Sequence, residues 1–550
     1  MWLRGIENSM LNIFDFQSNP RPKLVVIISL LVMAVWYMKS PFGSYWINAG
    51  DAWVDGAVLT SVANAKRIGW QETQFFPIRG VAHTIDIVSL NPKSGYAYVY
   101  THWPSGYEWV AFALDYVGAR SLVVHRVVML FLSMSGLILW TVVWRRYSDY
   151  KVGAYFFAVC GLSYWFLGWS TTLGYWVPYV TLFSGVNLYL WCVPGRWATS
   201  RFVWSWIILL VTSLFSLQLL PWSFVVLGGL AYFHRINISW RQFFLLMTAP
   251  ALGVGSLFVR IYLLSNQYGF DEISSRVAER TDWLNYLTSA NYYSLLLIRI
   301  EYYLGIGITV LIIYHIVSLF ATQKFTKISD FDFLWVITSL GGTVWWLLFP
   351  QQHAEHPGTI VLFALAQTAL WAKLLSGNLS FALIGSKINR FVIAVFIGGL
   401  VVRVSIGYLN KIVPIPNELS TQLVSGVCAT DGMMMPAIQS LVGVPCPHVG
   451  LERFGGDNIS WDIDNCDGRV KSGFFIHFDY IPRINLPIID DLYVMYQRWR
   501  NPSNINLYLS SIEGEYYIVG QPNADVVWKD GPVSVYHPVN YCVIDSNDPW

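Results

Sequence analysis

Long apolar runs alternate with short polar stretches along most of the chain. A membrane-crossing helix takes about 20 apolar residues, and on that criterion about eleven runs qualify. They lie at 24–40, 122–144, 152–169, 175–192, 202–218, 220–234, 243–264, 302–321, 331–349, 357–375 and 389–408. A polar stretch containing Gly and Pro separates the first run from the second, and residues 409–550 contain no run of this kind. The pattern predicts a polytopic α-helical membrane protein. Residues 1–408 form its transmembrane module and 409–550 a soluble extracytoplasmic domain.

Basic residues orient the runs. With a cytoplasmic N-terminus carrying Arg4, Arg21 and Lys23, the inner loops hold Arg145, Arg146 and Lys151; Arg196 and Arg201; Arg235 and Arg241; Lys324 and Lys327; and Lys373, Lys387 and Arg390. The short outer loops, 170–174, the turn near Pro221 and 350–356, hold no Lys or Arg. Basic residues at both ends of 202–234 make that stretch a tight hairpin with Leu220 and Pro221 near its tip. Three large pieces then lie outside: 41–121, 265–301 and the tail 409–550. Pro104 to Leu114 is amphipathic and aromatic, the pattern of a helix lying on the membrane surface. In the tail, short β-type runs (Phe474 to Phe478, Tyr516 to Val519, Val533 to Tyr536) and turns such as Asp530-Gly531-Pro532 predict a small α/β or mostly β domain.

Composition agrees. The chain is 55% hydrophobic, 17% aromatic and 12% charged, against about a quarter charged in soluble domains. The net charge of +2 is uninformative, and nothing in the sequence suggests nucleic acid. The first apolar run lacks a small-residue cleavage site and reads as a signal anchor. Of six cysteines, Cys160 and Cys192 lie in apolar runs. Cys428, Cys446, Cys466 and Cys542 lie in the tail, where one or two disulfides fit an oxidising compartment and buried thiols are the alternative.

Four polar features stand out in the outer segments. Asp51 and Asp55 follow the first span, four residues apart, so a helix sets them on one face. A carboxylate at the membrane boundary is costly to desolvate and often functional; the plainer role is an N-cap. Tyr100-Thr101-His102-Trp103-Pro104-Ser105 opens the surface helix, where a helix N-terminus and His102 favour an anion; an aromatic interfacial belt is the plainer reading. His353, Glu355 and His356 sit together in the 350–356 loop and its edge, able to meet a diphosphate or a metal, although the spacing is not HExxH. Arg276, Arg280 and Arg299 lie in the 265–301 segment, and arginine forks suit phosphate.

Together these features resemble the GT-C superfamily of membrane glycosyltransferases, nearest the family 39-like enzymes akin to protein mannosyltransferases and aminoarabinose transferases. The likeness covers roughly residues 20–400. It rests on the acid after span one, a helix from Asp55 through Asn64 to Gly69, the Tyr100–Ser105 motif, and His356 before a span. The chain departs from the family where an adjacent Asp-Glu pair is expected, at Trp103, where Lys or His is usual, and at Pro357, where an acid often follows the His.

The resemblance implies an inverting glycosyltransferase of the bacterial inner (plasma) membrane, with its tail periplasmic. It would move a sugar from a polyprenyl-phosphate donor to a glycan, lipid or protein acceptor. Asp55 is then the base, with Asp51 second, and His102, Arg276, Arg280, His356 and His353 meet the donor phosphate. No cofactor is required; a divalent metal, if used, falls to Glu355, His353 and His356. A transporter or flippase and a non-catalytic envelope-polysaccharide assembly factor are the alternatives. Trp461 and Trp499 are acceptor-stacking candidates in the tail, where aromatics are more often core. On that idea a chain truncated after Asn410 loses transfer to its native acceptor; full activity of the truncated chain sinks it.

Overall fold

The computed structural model describes residues 20–40, 42–44, 52–79, 88–89, 97–100, 104–174, 177–192, 199–233, 235–268, 287–305, 307–321, 328–350, 357–377, 398, 428–430, 459–460, 469–478, 525–530 and 533–543. The predicted spans from 24–40 to 357–375 all fall on helices. The span 389–408 lies outside the described residues apart from Gly398.

Helix α1 covers Pro20–Lys39, α2 Ala52–Arg67, α3 Gly106–Tyr116, α4 Leu122–Tyr147, α5 Tyr150–Gly161, α6 Tyr164–Trp169 and α7 Val177–Cys192. Then follow α8 Thr199–Ser213, α9 Leu219–Tyr232, α10 Trp240–Tyr268, α11 Ala290–Leu304, α12 Ile308–Ala321, α13 Asp330–Leu348 and α14 Val361–Leu375. Among the described residues, five helical stretches are long and apolar enough to cross a membrane: Arg21–Lys39, Leu122–Tyr147, Trp240–Gln267, Asp330–Leu348 and Gly358–Leu375. Leu219–Tyr232 and Ile308–Phe320 are apolar but shorter.

Two predicted spans are broken. Residues 152–169 divide into α5 and α6 at Leu162–Ser163, where the Ser163 hydroxyl donates to the Cys160 carbonyl at 2.6 Å. Residues 302–321 divide between α11 and α12 at Gly305 and Gly307, whose φ values of 108° and 89° no L-residue adopts readily. The Glu301 carboxylate accepts from the amides of Gly307 and Thr309 and so satisfies the start of α12. The predicted outer segment 265–301 is correspondingly shorter, because α10 runs to Tyr268 and α11 begins at Ala290. Arg299 is therefore a buried helical residue of α11 and not a loop residue.

The core between the helices is unusually rich in tryptophan. Trp140, Trp144, Trp191 and Trp222 are fully buried, and Trp222 packs on Trp140 and Trp191 with ring centroids 6.1 and 5.9 Å apart. Such flat, wide side chains fit because glycines let neighbouring backbones close in. A Cβ on Gly136 of α4 would lie 2.5 Å from the Thr181 carbonyl carbon of α7, and one on Gly185 would lie 3.0 Å from the Gly136 oxygen. Small residues at this crossing take the place of the hydrophobic drive that lipid does not supply. Asp332, in the first turn of α13, accepts from Lys373 in the last turn of α14 at 2.6 Å and pairs with His315 of α12 at 3.1 Å. One carboxylate thus ties three helices.

Between α2 and α3 lies a small sheet of β1 (Ile78–Arg79), β2 (Val88–Ser89) and β3 (Ala97–Val99) in the order β1-β3-β2. The tail contributes β4 (Cys428–Thr430), β5 (Ile459–Ser460), β6 (Arg469–Phe478), β7 (Asp525–Asp530) and β8 (Val533–Val543). Their order is β4-β6-β8-β5, with β7 also on β8. The predicted runs at 474–478 and 533–536 lie in β6 and β8; Tyr516 to Val519 lies outside the described residues. Strands β7 and β8 pair antiparallel around Gly531-Pro532, as the turn residues predict. The register also separates two cysteines. Cys428 on β4 is opposite Phe474 of β6, while Cys542 on β8 is opposite Val470. They flank β6 on opposite sides, two strand spacings or about 9.6 Å apart, beyond the ~7 Å that a disulfide spans. That pairing is excluded.

The α4–α7 crossing gives a direct test. Gly136→Val should lower the thermal unfolding temperature in detergent by several degrees, since overpacking of this kind costs about 1–3 kcal/mol. Gly255→Ala, which meets nothing within 4 Å, should leave it unchanged or slightly raised.

Candidate functional site

Two buried charge clusters lie in and around the segment between α1 and α4. The first is centred on Asp55, in the first turn of α2. It does not cap that helix. One carboxylate oxygen, Oδ2, accepts from Arg126 Nη2 at 3.0 Å and Nε at 3.4 Å; the other, Oδ1, accepts the backbone N–H of Leu173 at 2.8 Å. Arg126, in the second turn of α4, also donates to the carbonyls of Phe42 and Ser44 at 3.2 and 2.6 Å. Asp55 is 1% and Arg126 2% exposed. His125 is fully buried and close enough to act on the Asp55 carboxyl. Burial holds that carboxyl above the usual aspartate range, against the lowering pull of Arg126 and of the Leu173 amide. The closeness is enforced from behind, because a Cβ on Gly174 would meet the Val54 side chain at 2.5 Å.

The second cluster surrounds α3. Helix α2 ends at Arg67, Gly69 follows with φ of 97°, and Asn64 within the helix donates its Nδ2 to the Ile78 carbonyl at 2.9 Å and moors β1 to the helix. This puts Arg79, 2% exposed, against Glu108 of α3 at 3.3 Å. Its guanidinium also donates to the Tyr107 hydroxyl at 3.0 Å and stacks 3.4 Å from the centre of the Tyr100 ring. Glu108 has no exposed surface, and burial pushes its carboxyl up to about 7 in spite of Arg79. On the far side of α3, Arg260 of α10 donates to the carbonyls of Gln74 and Phe75 at 2.9 and 2.8 Å and to the Ser105 hydroxyl at 3.2 Å. Gln74 and Phe75 both hold left-handed backbone, φ 52° and 63°. Neither is glycine, and such strain tends to gather at functional segments. Arg260 also lies over the rings of Phe76 and Trp109. It borders a cavity of about 530 Å³ walled by Trp70, Phe75, Trp109 and Phe112.

Of the residues expected from the sequence, Asp55 is placed as described. Asp51, His102, Arg276, Arg280, His353, Glu355, His356, Trp461 and Trp499 lie outside the described residues. Among the described residues no group of three or more His, Cys, Asp or Glu side chains is arranged to hold a metal. Sequence reasoning missed Arg126, Arg79, Glu108 and Arg260. Arg126 carried a signal, a charge inside an apolar run near its outer end, and so did Arg260, deep in the run beginning at Trp240. Nothing in spacing alone joins Arg79 to Glu108.

No family model and no curated protein matches the chain. Among solved structures it is similar to ArnT from Cupriavidus metallidurans bound to undecaprenyl phosphate, with 14% identity over 93% of this chain and 97% of that one and a TM-score of 0.49. The apo state of the same protein gives 13%, 94%, 98% and 0.46. Archaeal oligosaccharyltransferase AglB from Archaeoglobus fulgidus, in complex with an inhibitory peptide and a dolichol-phosphate, gives 10% identity over 87% of this chain and 71% of that one, with a TM-score of 0.48.

The ion pair makes its own prediction. Arg126→Leu leaves a buried carboxylate without its cation and should destabilise the fold by about 3–5 kcal/mol. Adding Asp55→Asn should restore part of the loss. Thermal unfolding of the two variants checks this, and equal losses would contradict the pairing.

Proposed function

We propose that the chain is a membrane glycosyltransferase that takes a sugar from a polyprenyl-phosphate donor at the centre formed by Asp55 and Arg126. The observation that carries the reading is this pair, an acid on the first helix beyond the first span, held 3.0 Å from a guanidinium. That is where the GT-C resemblance expects the acid.

Inverting transfer needs a base for the acceptor hydroxyl and a cation for the departing phosphate, both close to the anomeric carbon. Asp55 and Arg126 supply the two within one contact. The new bond runs from the acceptor oxygen to the anomeric carbon as the bond from that carbon to the phosphate oxygen breaks. The hydroxyl proton goes to Asp55 and the electron pair to the phosphate. Oδ1, which accepts the Leu173 N–H, has a second lone pair for that proton. The raised carboxyl is a stronger base than an exposed aspartate, which suits the task. Asp51, His102, Arg276, Arg280, His353 and His356 remain the further candidates for base and phosphate contacts, and the tail for the acceptor.

Asp55→Asn should lower transfer from a polyprenyl-phosphate sugar in detergent or vesicles by at least about a hundredfold. In the wild type the rate should rise with pH through the Asp55 titration, at a pH above the ordinary aspartate value of 3.8. Near wild-type transfer by Asp55→Asn and Asp51→Asn, tried separately, contradicts the mechanism.

A further inference from the structure

The end of the bundle away from Asp55 carries a different kind of surface. Arg126 and Arg145 stand near opposite ends of α4, nineteen residues or about 28 Å apart. Towards the Arg145 end a narrow apolar cavity of about 70 Å³ lies between α1, α4 and α5. Val26 and Leu30 of α1, Ile138 and Arg145 of α4, and Tyr150 and Ala154 of α5 line it. Small residues create the hollow. A Cβ on Gly153 would lie 2.8 Å from the Arg145 Cβ, so α5 closes on α4 there, and Ala154 beside it leaves space that a larger side chain would fill. Leu30 is 38% exposed, so the cavity opens on the outer face of the bundle. Both α1 and α4 are long and apolar enough to cross a membrane, which sets that face against lipid.

The helix register puts the cations at one end of this groove. Along α4 its lining runs from Met134 to Arg145, eleven residues or about 16 Å, close to half of the ~30 Å hydrocarbon core. Helix α1 runs parallel to α5: Val26 and Ala154 share the cavity, and seven residues on a Cβ on Gly161 would lie 2.8 Å from Met33 Sδ. Lys23 is exposed and lies three residues before Val26, on the same helix face and about level with Lys151. Residues 20–23 and 145–151, which form this end of the three helices, hold Arg21, Lys23, Arg145, Arg146 and Lys151 against one acid, Asp149. The Asp149 Oδ1 already accepts the Val152 N–H as the cap of α5. Arg145 also engages other groups of the protein, but a guanidinium keeps its charge and carries five N–H donors, so its pull on an anion at the mouth persists.

We propose that this groove seats one acyl chain of an anionic diacyl phospholipid from the surrounding membrane, with the phosphate at the mouth beside Lys23 and Arg145. Charge selects the occupant. Each Lys or Arg near an anionic headgroup strengthens binding about fivefold, whereas the ammonium of a zwitterionic lipid offsets what its phosphate gains. The cavity has room for a hydrocarbon chain and not for a headgroup, which stays at the mouth. Tyr150 lines the same end, at the level where tyrosine favours the membrane–water boundary. Neither the transfer reaction nor the carrier lipid enters this assignment.

The test is native mass spectrometry of the full chain in detergent, titrated with dioleoyl phosphatidylglycerol and with dioleoyl phosphatidylcholine. Wild type should bind the anionic lipid at least about fivefold more tightly, and the preference should shrink as salt rises from about 0.1 to 0.5 M. Lys23→Gln and Arg145→Gln should each weaken phosphatidylglycerol about fivefold and leave phosphatidylcholine unchanged. Leu30→Trp, which fills the groove from its exposed edge, should weaken both lipids.

Equal binding of the two lipids, or phosphatidylglycerol binding unchanged in Lys23→Gln, overturns the proposal. Lys23 is exposed, so that variant decides even if Arg145→Gln does not fold. Farnesyl phosphate displacing phosphatidylglycerol at equal concentration makes an isoprenoid carrier the occupant and overturns the assignment. So does a lipid-free dimer, which makes a second copy the occupant, or binding that appears only once residues 1–19 are removed, which makes that segment the occupant.

Discussion

The buried pair of Asp55 and Arg126 is the contact on which the packing of the segment between α1 and α4 depends. It joins the start of α2 to the start of α4, draws in the carbonyls of Phe42 and Ser44 just beyond α1, and takes the amide of Leu173 ahead of α7. Four pieces of chain meet at one carboxylate and one guanidinium. Desolvating both ions is costly, and only the full set of hydrogen bonds offsets that cost. A pair so constrained sets the position of α2, and with it everything that α2 carries: the left-handed Gly69, the mooring of β1 by Asn64, and one wall of the aromatic cavity.

The two clusters show how burial and partners divide labour among like residues. Asp55 and Glu108 are both enclosed carboxylates facing arginine, and burial raises both. Asp55 is bonded at both oxygens and fixed in place. Glu108 has Arg79 on one oxygen, and its other oxygen meets no partner among the described residues. The first arrangement fixes the carboxylate at both oxygens, and the second at one.

Much of the helical plan was legible because apolar runs in a membrane protein are set by bilayer thickness and need no tertiary information. The first ten predicted runs fall on helices, and the stretch Pro104–Leu114 is helical as α3, displaced by two residues. Breaks were less legible. Gly305 and Gly307 interrupt an apolar run whose composition still reads as one span, and the interruption depends on their positive φ and on the Glu301 carboxylate, neither of which hydropathy registers. At the candidate site, Asp55 was singled out from its place after the first span, but Arg126 was not. Arg126 is 71 residues away, and pairing at that separation follows from packing. The same holds for Arg79 with Glu108 and for Arg260 with the strained carbonyls of Gln74 and Phe75.

The central claim is that transfer takes place at Asp55 and Arg126. It is tested most directly by density for a non-transferable polyprenyl-phosphonate sugar bound to the protein. The account predicts the anomeric carbon beside Oδ1 of Asp55, with the phosphonate on the Arg126 side. A sugar phosphonate seated elsewhere, with the Asp55–Arg126 pair closed and out of reach of the anomeric carbon, would contradict it.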